Sequence, residues 1–168
     1  MLLTNLFGQS NKSRTMSLLK WLIKKDHITL VDPKSNAAVF YDRHAFDKQT
    51  LITDSEKTVP DKCLADFLSP AELNTGKTIP QMLEQTDWRK NYAKLRVKFV
   101  TDKFMRNIKA GQTVFIFSEP VFLNTQKTKV LIGEYFFCGM ACGRDDLLLC
   151  EFKNGRWQLI ARAVINND

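Results

Sequence analysis

The chain has 168 residues, of which 44% are hydrophobic and 26% are charged, and its formal charge is +7. This length suits one domain with a substantial core, and the composition is ordinary for a globular protein. The sequence contains no repeat and no low-complexity tract, which argues against disorder. It also contains no apolar run near the roughly 20 residues that a membrane-spanning helix needs.

The N-terminus begins M-L-L-T-N-L-F-G, which is apolar or small and uncharged, before a polar stretch. This pattern resembles the end of a secretory signal peptide, although the positive charge that usually precedes the apolar part is missing. A frayed cytosolic N-terminus is the alternative interpretation. We therefore predict a flexible N-terminus over residues 1–13, with a signal-peptide remnant as one interpretation, followed by a single domain over residues 14–168.

The first regular elements are predicted between residues 15 and 41. Apolar residues at helical spacing predict an amphipathic helix over Thr15–Lys25, with lysines in the last turn that suit the helix dipole. His27–Val31 and Ala37–Tyr41 are rich in β-forming residues. Because Pro33–Asn36 between them is a turn sequence, we expect these two strands to form a hairpin.

The next segment is mostly polar, and we predict a loop over 42–61 with a short strand at Leu51–Ile52. Lys62–Phe67 is predicted to be helical. Ser69-Pro70-Ala71-Glu72 then predicts the start of a helix, since it combines a Ser N-cap, Pro at the first helical position and Glu three residues after the cap. Asn74-Thr75-Gly76 is expected to end that helix.

The excess positive charge lies in one segment, Trp88–Gly111, which holds eight Lys/Arg residues and only one acidic residue, Asp102. Leu95–Phe99 alternates strictly, which predicts a half-buried strand with basic residues on the solvent face. A short helix is predicted over Thr101–Lys109. The basic side chains indicate either a solvated face or a surface for an anionic polymer; nucleic acid is disfavoured because no recognised motif is present. The candidate basic surface comprises Arg89, Lys90, Lys94, Arg96 and Lys98.

The C-terminal third predicts an antiparallel β-meander. Asn154-Gly155 between apolar runs is a strong hairpin signal, because a type I′ turn needs two residues with positive φ. The predicted strands are Val114–Ser118, Lys129–Cys138, Leu147–Phe152 and Trp157–Ile165. The fold class is therefore α+β, with N-terminal helices and a hairpin packed on a C-terminal antiparallel β-meander sheet. By fold-level analogy alone, a conical sheet wrapped by helices, as in nuclear transport factor-like domains, is one arrangement.

The candidate functional loop comprises Cys138, Gly139, Cys142 and Gly143. Glycines permit a tight backbone path, so the two cysteines could form a small-loop disulfide. Free structural thiols are the second interpretation. Metal binding or redox chemistry is the third, which the spacing disfavours because it is not C-x-x-C and no second paired knuckle supplies further ligands. We therefore expect no metal site and no cofactor.

Other chemistry-bearing residues give weaker indications. His27 and His44 adjoin no nucleophile motif, although catalytic groups meet in space and not in sequence. Asp145 and Asp146 could act as an acid and a base, but adjacent acidic residues at a hairpin mouth are usually turn formers in solvent. In a strand they would also point to opposite faces.

The order S-x-P-x-F (Ser118–Phe122), C-G-x-x-C-G (Cys138–Gly143) and N-G-R-W (Asn154–Trp157) resembles a group of uncharacterised bacterial proteins, mostly small exported or lipid-anchored ones. Phe67-Leu68-Ser69 and Met82-Leu83-Glu84-Gln85 match two earlier elements of that group. The resemblance covers about residues 67–165 and departs at Met140-Ala141. It implies the architecture and export, and no reaction.

These observations predict a non-catalytic extracytoplasmic protein, periplasmic, secreted or membrane-anchored, that binds a protein or a small molecule; a cytoplasmic location is the alternative. A hydrolase or thiol-dependent enzyme with its site at the mouth of the sheet is the second hypothesis. Polyanion binding through residues 88–109 is the third. No catalytic motif is present, which favours binding over catalysis.

Overall fold

The computed structural model describes residues 11–34, 46, 51–52, 58–59, 62–78, 87–89, 94–109, 111–138 and 142–167. The fold is α+β, as predicted. The helices are α1 (Asn11–Lys25), α2 (Pro70–Thr78) and α3 (Asp102–Met105), with a 3-10 turn at Leu64–Phe67. The strands are β1 (Leu30–Val31), β2 (Leu51–Ile52), β3 (Thr58–Val59), β4 (Lys98–Phe99), β5 (Val114–Phe117), β6 (Val121–Phe122), β7 (Lys129–Phe137), β8 (Gly143–Lys153) and β9 (Arg156–Asn167).

The strands form one sheet in the order β3-β2-β9-β8-β7-β5-β1-β4, and β6 also pairs with β7. Strands β7, β8 and β9 are consecutive and antiparallel, so the predicted meander is confirmed. Its β8–β9 turn has positive φ at Asn154 (53°) and Gly155 (78°), as the hairpin signal required. The register shifts between Asp145 and Asp146 and between Leu149 and Cys150.

Strand β1 has two parallel neighbours. Val31 pairs with Phe99 of β4 and with Phe115 of β5, so both edges of β1 are occupied at that residue. The predicted hairpin partner, Ala37–Tyr41, lies outside the described residues. The short strand predicted at Leu51–Ile52 is confirmed, and it pairs with both β3 and β9.

Both faces of the meander are covered. Helix α1 packs its apolar face on one side of the sheet, where Trp157 Nε1 also donates a hydrogen bond to Ser17 Oγ at 3.1 Å. The other side packs on the segment that contains the 3-10 turn and α2. The α1-side core includes Leu18, Leu19, Leu22, Val130, Ile132, Leu148 and Leu159. The opposite core includes Phe46, Leu64, Leu131, Leu147, Leu149, Ala161 and Ala163.

Helix α1 begins at Asn11, four residues before the predicted start. Residues Asn11–Ser13, assigned to the flexible N-terminus, are therefore helical. Their side chains are exposed, and hydrophobic periodicity reports only the buried face, so a polar first turn leaves no signal in the pattern. Residues 1–10 lie outside the described part of the chain. Among the described helices, none has the length and apolar character that crossing a membrane requires.

Helix α2 begins as predicted. Ser69 N–H donates to Glu72 Oε2 at 2.9 Å and Glu72 N–H donates to Ser69 Oγ at 3.3 Å, which is a complete capping box. The predicted end at Asn74–Gly76 is wrong, because the helix continues to Thr78. Gly76 is buried where a Cβ atom would lie 2.9 Å from Leu131 Cδ1. The glycine therefore allows the helix to approach β7 closely and does not terminate it.

The basic segment is less regular than predicted. Strand pairing is confined to Lys98–Phe99 and the helix α3 to Asp102–Met105, although strand Leu95–Phe99 and helix Thr101–Lys109 were expected. The alternation of burial survives, since Leu95 is buried and Arg96 and Lys98 are exposed. Buried and exposed side chains therefore alternate from Leu95 onward, although only Lys98–Phe99 pairs with a neighbouring strand.

Candidate functional site

The cysteine loop, Cys138–Cys142, connects β7 to β8. The two Sγ atoms lie at disulfide-bonding distance and the Cα atoms are 5.4 Å apart. Cys138 N–H also donates a hydrogen bond to the Cys142 carbonyl oxygen at 3.1 Å. The structure therefore agrees with the disulfide among the three interpretations of this turn. Gly139 lies outside the described residues.

Gly143 is the first residue of β8, and its lack of a side chain matters for packing. A Cβ atom at this position would lie 2.9 Å from Tyr135 Oη and 3.2 Å from Tyr135 Cε2. The Tyr135 ring therefore packs directly against the backbone at the base of the cysteine loop. The close approach of this ring, and not a positive φ angle, accounts for a glycine at position 143.

Aromatic side chains flank the cysteine loop on both faces of the sheet. Tyr135 and Phe137 stack with their centroids 6.5 Å apart, and both are half-buried. Phe136 points to the other face of the sheet, where its ring centroid lies 6.1 Å from that of Phe115. The guanidinium carbon of Arg144 lies 5.2 Å from the Phe136 ring centroid. The loop platform is defined as Tyr135, Phe136, Phe137 and Arg144.

Beneath Arg144 lies a cluster of charged side chains between the end of α1 and the sheet. Glu134 and Asp146 are directly opposed on β7 and β8, and they are 2% and 0% exposed. Arg162 of β9 bridges them, with Nη1 3.2 Å from Asp146 Oδ2 and Nη2 3.4 Å from Glu134 Oε1. The ionic cluster is defined as Lys25, Asp26, Glu134, Arg144, Asp146 and Arg162.

The remaining members close the ionic cluster from two directions. Arg144 Nη2 lies 2.9 Å from Asp146 Oδ2, which connects the cluster to the loop platform. Lys25 Nζ lies 3.1 Å from Asp26 Oδ1, and Asp26 Oδ2 lies 4.0 Å from Arg162 Nη2. The cluster therefore joins helix α1 to three adjacent strands.

The electrostatics of the ionic cluster are set by burial. Desolvation raises the pKa of Glu134 to about 7, with Arg162 opposing the rise and Asp26 and Asp146 adding to it. Burial also raises the pKa of Asp146, against the effect of Arg162 and Arg144. Glu134 Oε2 and Asp146 Oδ1 are buried and accept no hydrogen bond from the described residues. Burial therefore favours the protonated form of the Glu134 carboxyl more than in an exposed glutamate.

The interpretation of Asp145 and Asp146 as solvated turn formers is wrong. Both lie within β8 and both are buried, Asp145 at 9% exposure and Asp146 at 0%. The expectation that neighbours in a strand face opposite sides holds, since Asp145 is opposite Tyr135 while Asp146 is opposite Glu134. Glu134 and Arg162 were not among the site residues predicted from the sequence. The signal for Glu134 was available: a lone acid inside the apolar run K-V-L-I-G-E-Y-F-F.

The structure also describes three other candidate nucleophiles or bases, namely Cys150, Cys63 and His27. Cys150 is fully buried, and burial raises the pKa of its thiol, which disfavours the reactive thiolate. Cys63 is a half-buried free cysteine. His27 is exposed, with φ of 52° just after α1, where it ends the helix. His44 lies outside the described residues.

The predicted basic surface is only partly free of acidic partners. Arg89 Nη2 lies 2.7 Å from Asp87 Oδ2, and this contact raises the pKa of Arg89. Lys94, Arg96 and Lys98 are exposed and form no ion pair within the described part of the chain. Lys90 lies outside that part. Asp87 was not included when the charges of Trp88–Gly111 were counted, because it lies one residue before that segment.

The described residues contain no group of three or more His, Cys, Asp or Glu side chains arranged to hold a metal ion. No protein-family model, curated protein or solved structure matches the chain. The function is therefore argued from the cysteine loop, the loop platform and the ionic cluster.

Proposed function

We propose that this protein is a non-catalytic extracytoplasmic binding protein that contacts its partner at the cysteine-loop end of the sheet, where the loop platform presents side chains on both faces. The observation that carries the proposal is the pairing of Cys138 with Cys142, which closes the loop that the platform flanks. The partner would be a protein or a small molecule that contacts aromatic rings and a guanidinium.

The cysteine pairing supports the location. Disulfides persist in oxidising compartments and are reduced in the cytosol, and accessible ones are the easiest to reduce. Cys142 is exposed, so glutathione and thioredoxin would reach this bond if the protein resided in the cytosol. A bond at this position is most useful to a protein that works outside the reducing compartment.

The chemistry of the platform supports a binding role. Aromatic residues and arginine are enriched in protein interfaces and at their energetic centres. Arg144 is 26% exposed, and Asp146 holds it from below while Phe136 lies under its guanidinium. A side chain that is already held in place loses less conformational entropy on binding, which improves affinity.

Hydrolysis is the second candidate function, and Glu134 is the observation that favours it. A carboxyl with a pKa of about 7 beside a second carboxyl suits general acid–base chemistry. However, Glu134 and Asp146 are at most 2% exposed, and a general acid must be within hydrogen-bonding reach of its substrate. The partly exposed platform is therefore better placed than the buried acids to meet another molecule.

The location is tested by counting thiols in protein from its source cell after fractionation. Alkylation without reduction is expected to leave Cys138 and Cys142 unmodified in an extracytoplasmic fraction, and reduction is expected to make both reactive. Recovery of the protein in the cytosol with both cysteines alkylated would overturn the proposed location.

The binding surface is tested by photo-crosslinking. A benzoylphenylalanine at Phe137, in the loop platform, is compared with one at Arg156, an exposed residue at the opposite end of the β8–β9 hairpin. We expect irradiated cells to yield a discrete adduct with the first variant and none with the second. Equal labelling from both positions, or no adduct from Phe137, contradicts the assignment.

A further inference from the structure

A second surface lies far along the chain from the cysteine loop, on the strand at one end of the sheet. Strand β4 is the last in the sheet order, and α3 follows it directly. Six exposed basic side chains in this segment form no ion pair within the described residues. The basic edge is defined as Lys94, Arg96, Lys98, Lys103, Arg106 and Lys109.

Two of the described acidic residues next to the basic edge already have a cationic partner. Asp102 Oδ1 lies 3.3 Å from Lys34 Nζ, and Asp87 is paired with Arg89. Residues 1–87 and 112–168 are each balanced in charge, so the whole excess of the chain lies in this one segment. The edge therefore presents a concentrated positive charge on an otherwise neutral molecule.

Apolar side chains alternate with the cations. Phe99, Phe104, Met105 and Ile108 are half-buried, so part of each remains accessible. Lys98 Nζ lies 5.8 Å from the Phe104 ring centroid, and Thr101 Oγ1 accepts a hydrogen bond from Phe104 N–H at 3.2 Å, which fixes the start of α3. The segment thus combines half-buried apolar groups with exposed basic side chains.

We propose that the basic edge docks on an anionic phospholipid surface. Interspersed cations and apolar groups match a membrane interface, where headgroup phosphates attract the cations and apolar side chains enter the boundary with the acyl chains. Lys and Arg side chains can extend their charged ends to phosphates while their stems lie along apolar groups. Nucleic acid is less well matched, because no nucleic-acid-binding motif accompanies the charge.

The energetics give the size of the expected effect. A lysine or arginine close to an anionic membrane strengthens binding about fivefold at moderate ionic strength. Removing three such charges should therefore weaken binding about 100-fold. Since screening shortens the reach of each charge to about 8 Å at physiological salt, the affinity should also fall steeply as salt is raised.

The test uses the full chain in sedimentation with vesicles of phosphatidylcholine, alone or mixed with phosphatidylglycerol. The test variant carries Lys98→Gln, Lys103→Gln and Arg106→Gln. The control removes the same charge from exposed positions of α1, with Lys12→Gln, Lys20→Gln and Lys24→Gln. Circular dichroism confirms that both variants are folded.

We expect salt-sensitive binding to the anionic vesicles only, lost in the test variant and retained in the α1 control. Equal losses in both variants would show that only net charge matters and would overturn the proposal. Equal binding to neutral vesicles, or no vesicle binding at all, would also overturn it. Binding of an oligonucleotide through the same residues without vesicle binding would replace it with a nucleic-acid surface. None of these outcomes depends on the loop platform, so the proposed function is tested separately.

Discussion

Glu134 of β7 lies directly opposite Asp146 of β8, and both carboxylates contact the single guanidinium of Arg162. Three buried or partly buried acids, counting Asp26, thus share one cation at the end of α1. A complete cluster of this kind adds little to the free energy of unfolding, because the cost of removing the charges from water offsets their mutual attraction. Removing one member is strongly destabilising, because it leaves a buried charge without a partner. The cluster therefore makes stability depend on pH and on each of its members.

The first prediction concerns pH. The pKa of Glu134 is raised from its ordinary 4.5 to about 7 in the folded state, so between these values the folded chain holds a proton that the unfolded chain has released. The free energy of unfolding should consequently fall as pH rises from about 4.5 to 7, by up to about 3 kcal/mol. Urea denaturation across this range measures the slope.

The matched variants for this prediction are Glu134→Gln and Glu151→Gln. The first removes one titrating group and should make the slope shallower, leaving the contribution of Asp146, whose pKa is also raised. The second changes a half-buried carboxylate at the other end of β8 and should preserve the slope. A slope as steep in Glu134→Gln as in the wild-type chain would assign the effect to another group.

The second prediction concerns Arg162. Replacing it by methionine leaves Glu134 and Asp146 without their shared cation and should lower the free energy of unfolding by about 3–5 kcal/mol. Adding Glu134→Gln should restore part of the loss, because one buried charge is then removed. Arg156→Met, at the exposed first residue of β9, should change stability by less than about 0.5 kcal/mol. Equal effects at both arginines would count against the cluster.

The third prediction concerns the cysteine loop. Replacing Cys138 and Cys142 by serine should lower the free energy of unfolding by about 2 kcal/mol, since the bond closes a very short loop. A reductant should produce a similar loss in the wild-type chain and none in the double variant. Cys63→Ser serves as the control for a free cysteine. If the reductant leaves the wild-type thermal midpoint unchanged, the loop is not held by the disulfide.

The fourth prediction concerns the contact between α2 and the sheet. Gly76→Ala improves helix propensity, yet its Cβ would approach Leu131 Cδ1 to 2.9 Å and Phe46 Cζ to 3.2 Å. Overpacking of this kind costs about 1–3 kcal/mol, which exceeds the roughly 1 kcal/mol gained from propensity. Asn74→Ala, at an exposed position of the same helix, should be neutral or stabilising. Thermal denaturation of the pair distinguishes packing from propensity, and a stabilised Gly76→Ala would contradict the packing argument.

Local signals in the sequence predicted local structure well. The capping box at Ser69 and the positive φ angles at Asn154 and Gly155 depend on residues at most three apart, and all are present in the structure. The parallel pairing of β1 was not predicted, because alternation identifies a strand but not its partners. Val31 meets Phe99 and Phe115, which lie far along the chain, and only the folded sheet brings them together.

The candidate site likewise has one part that was predicted from neighbouring residues and one part that depends on residues far apart in the sequence. Cys138 and Cys142 are close in sequence, so their pairing could be weighed from the letters alone. The ionic cluster could not be predicted in this way, because Glu134 and Arg162 lie on different strands. In the sequence, each of them looks like an ordinary charged residue. A charge inside an apolar strand was the one usable indication, since an isolated buried charge needs a partner.

The hydrogen bond between Ser17 and Trp157 joins residues 140 positions apart, and its consequence concerns how the chain folds during synthesis. Helix α1 is synthesised before the strand that carries Trp157, so the core beneath α1 stays incomplete until β9 has been made. Contacts of such high sequence separation are associated with slow folding, in milliseconds to seconds. A nascent chain that lacks β9 would therefore leave the part of the α1 face that packs on Trp157 and Leu159 uncovered and available to chaperones.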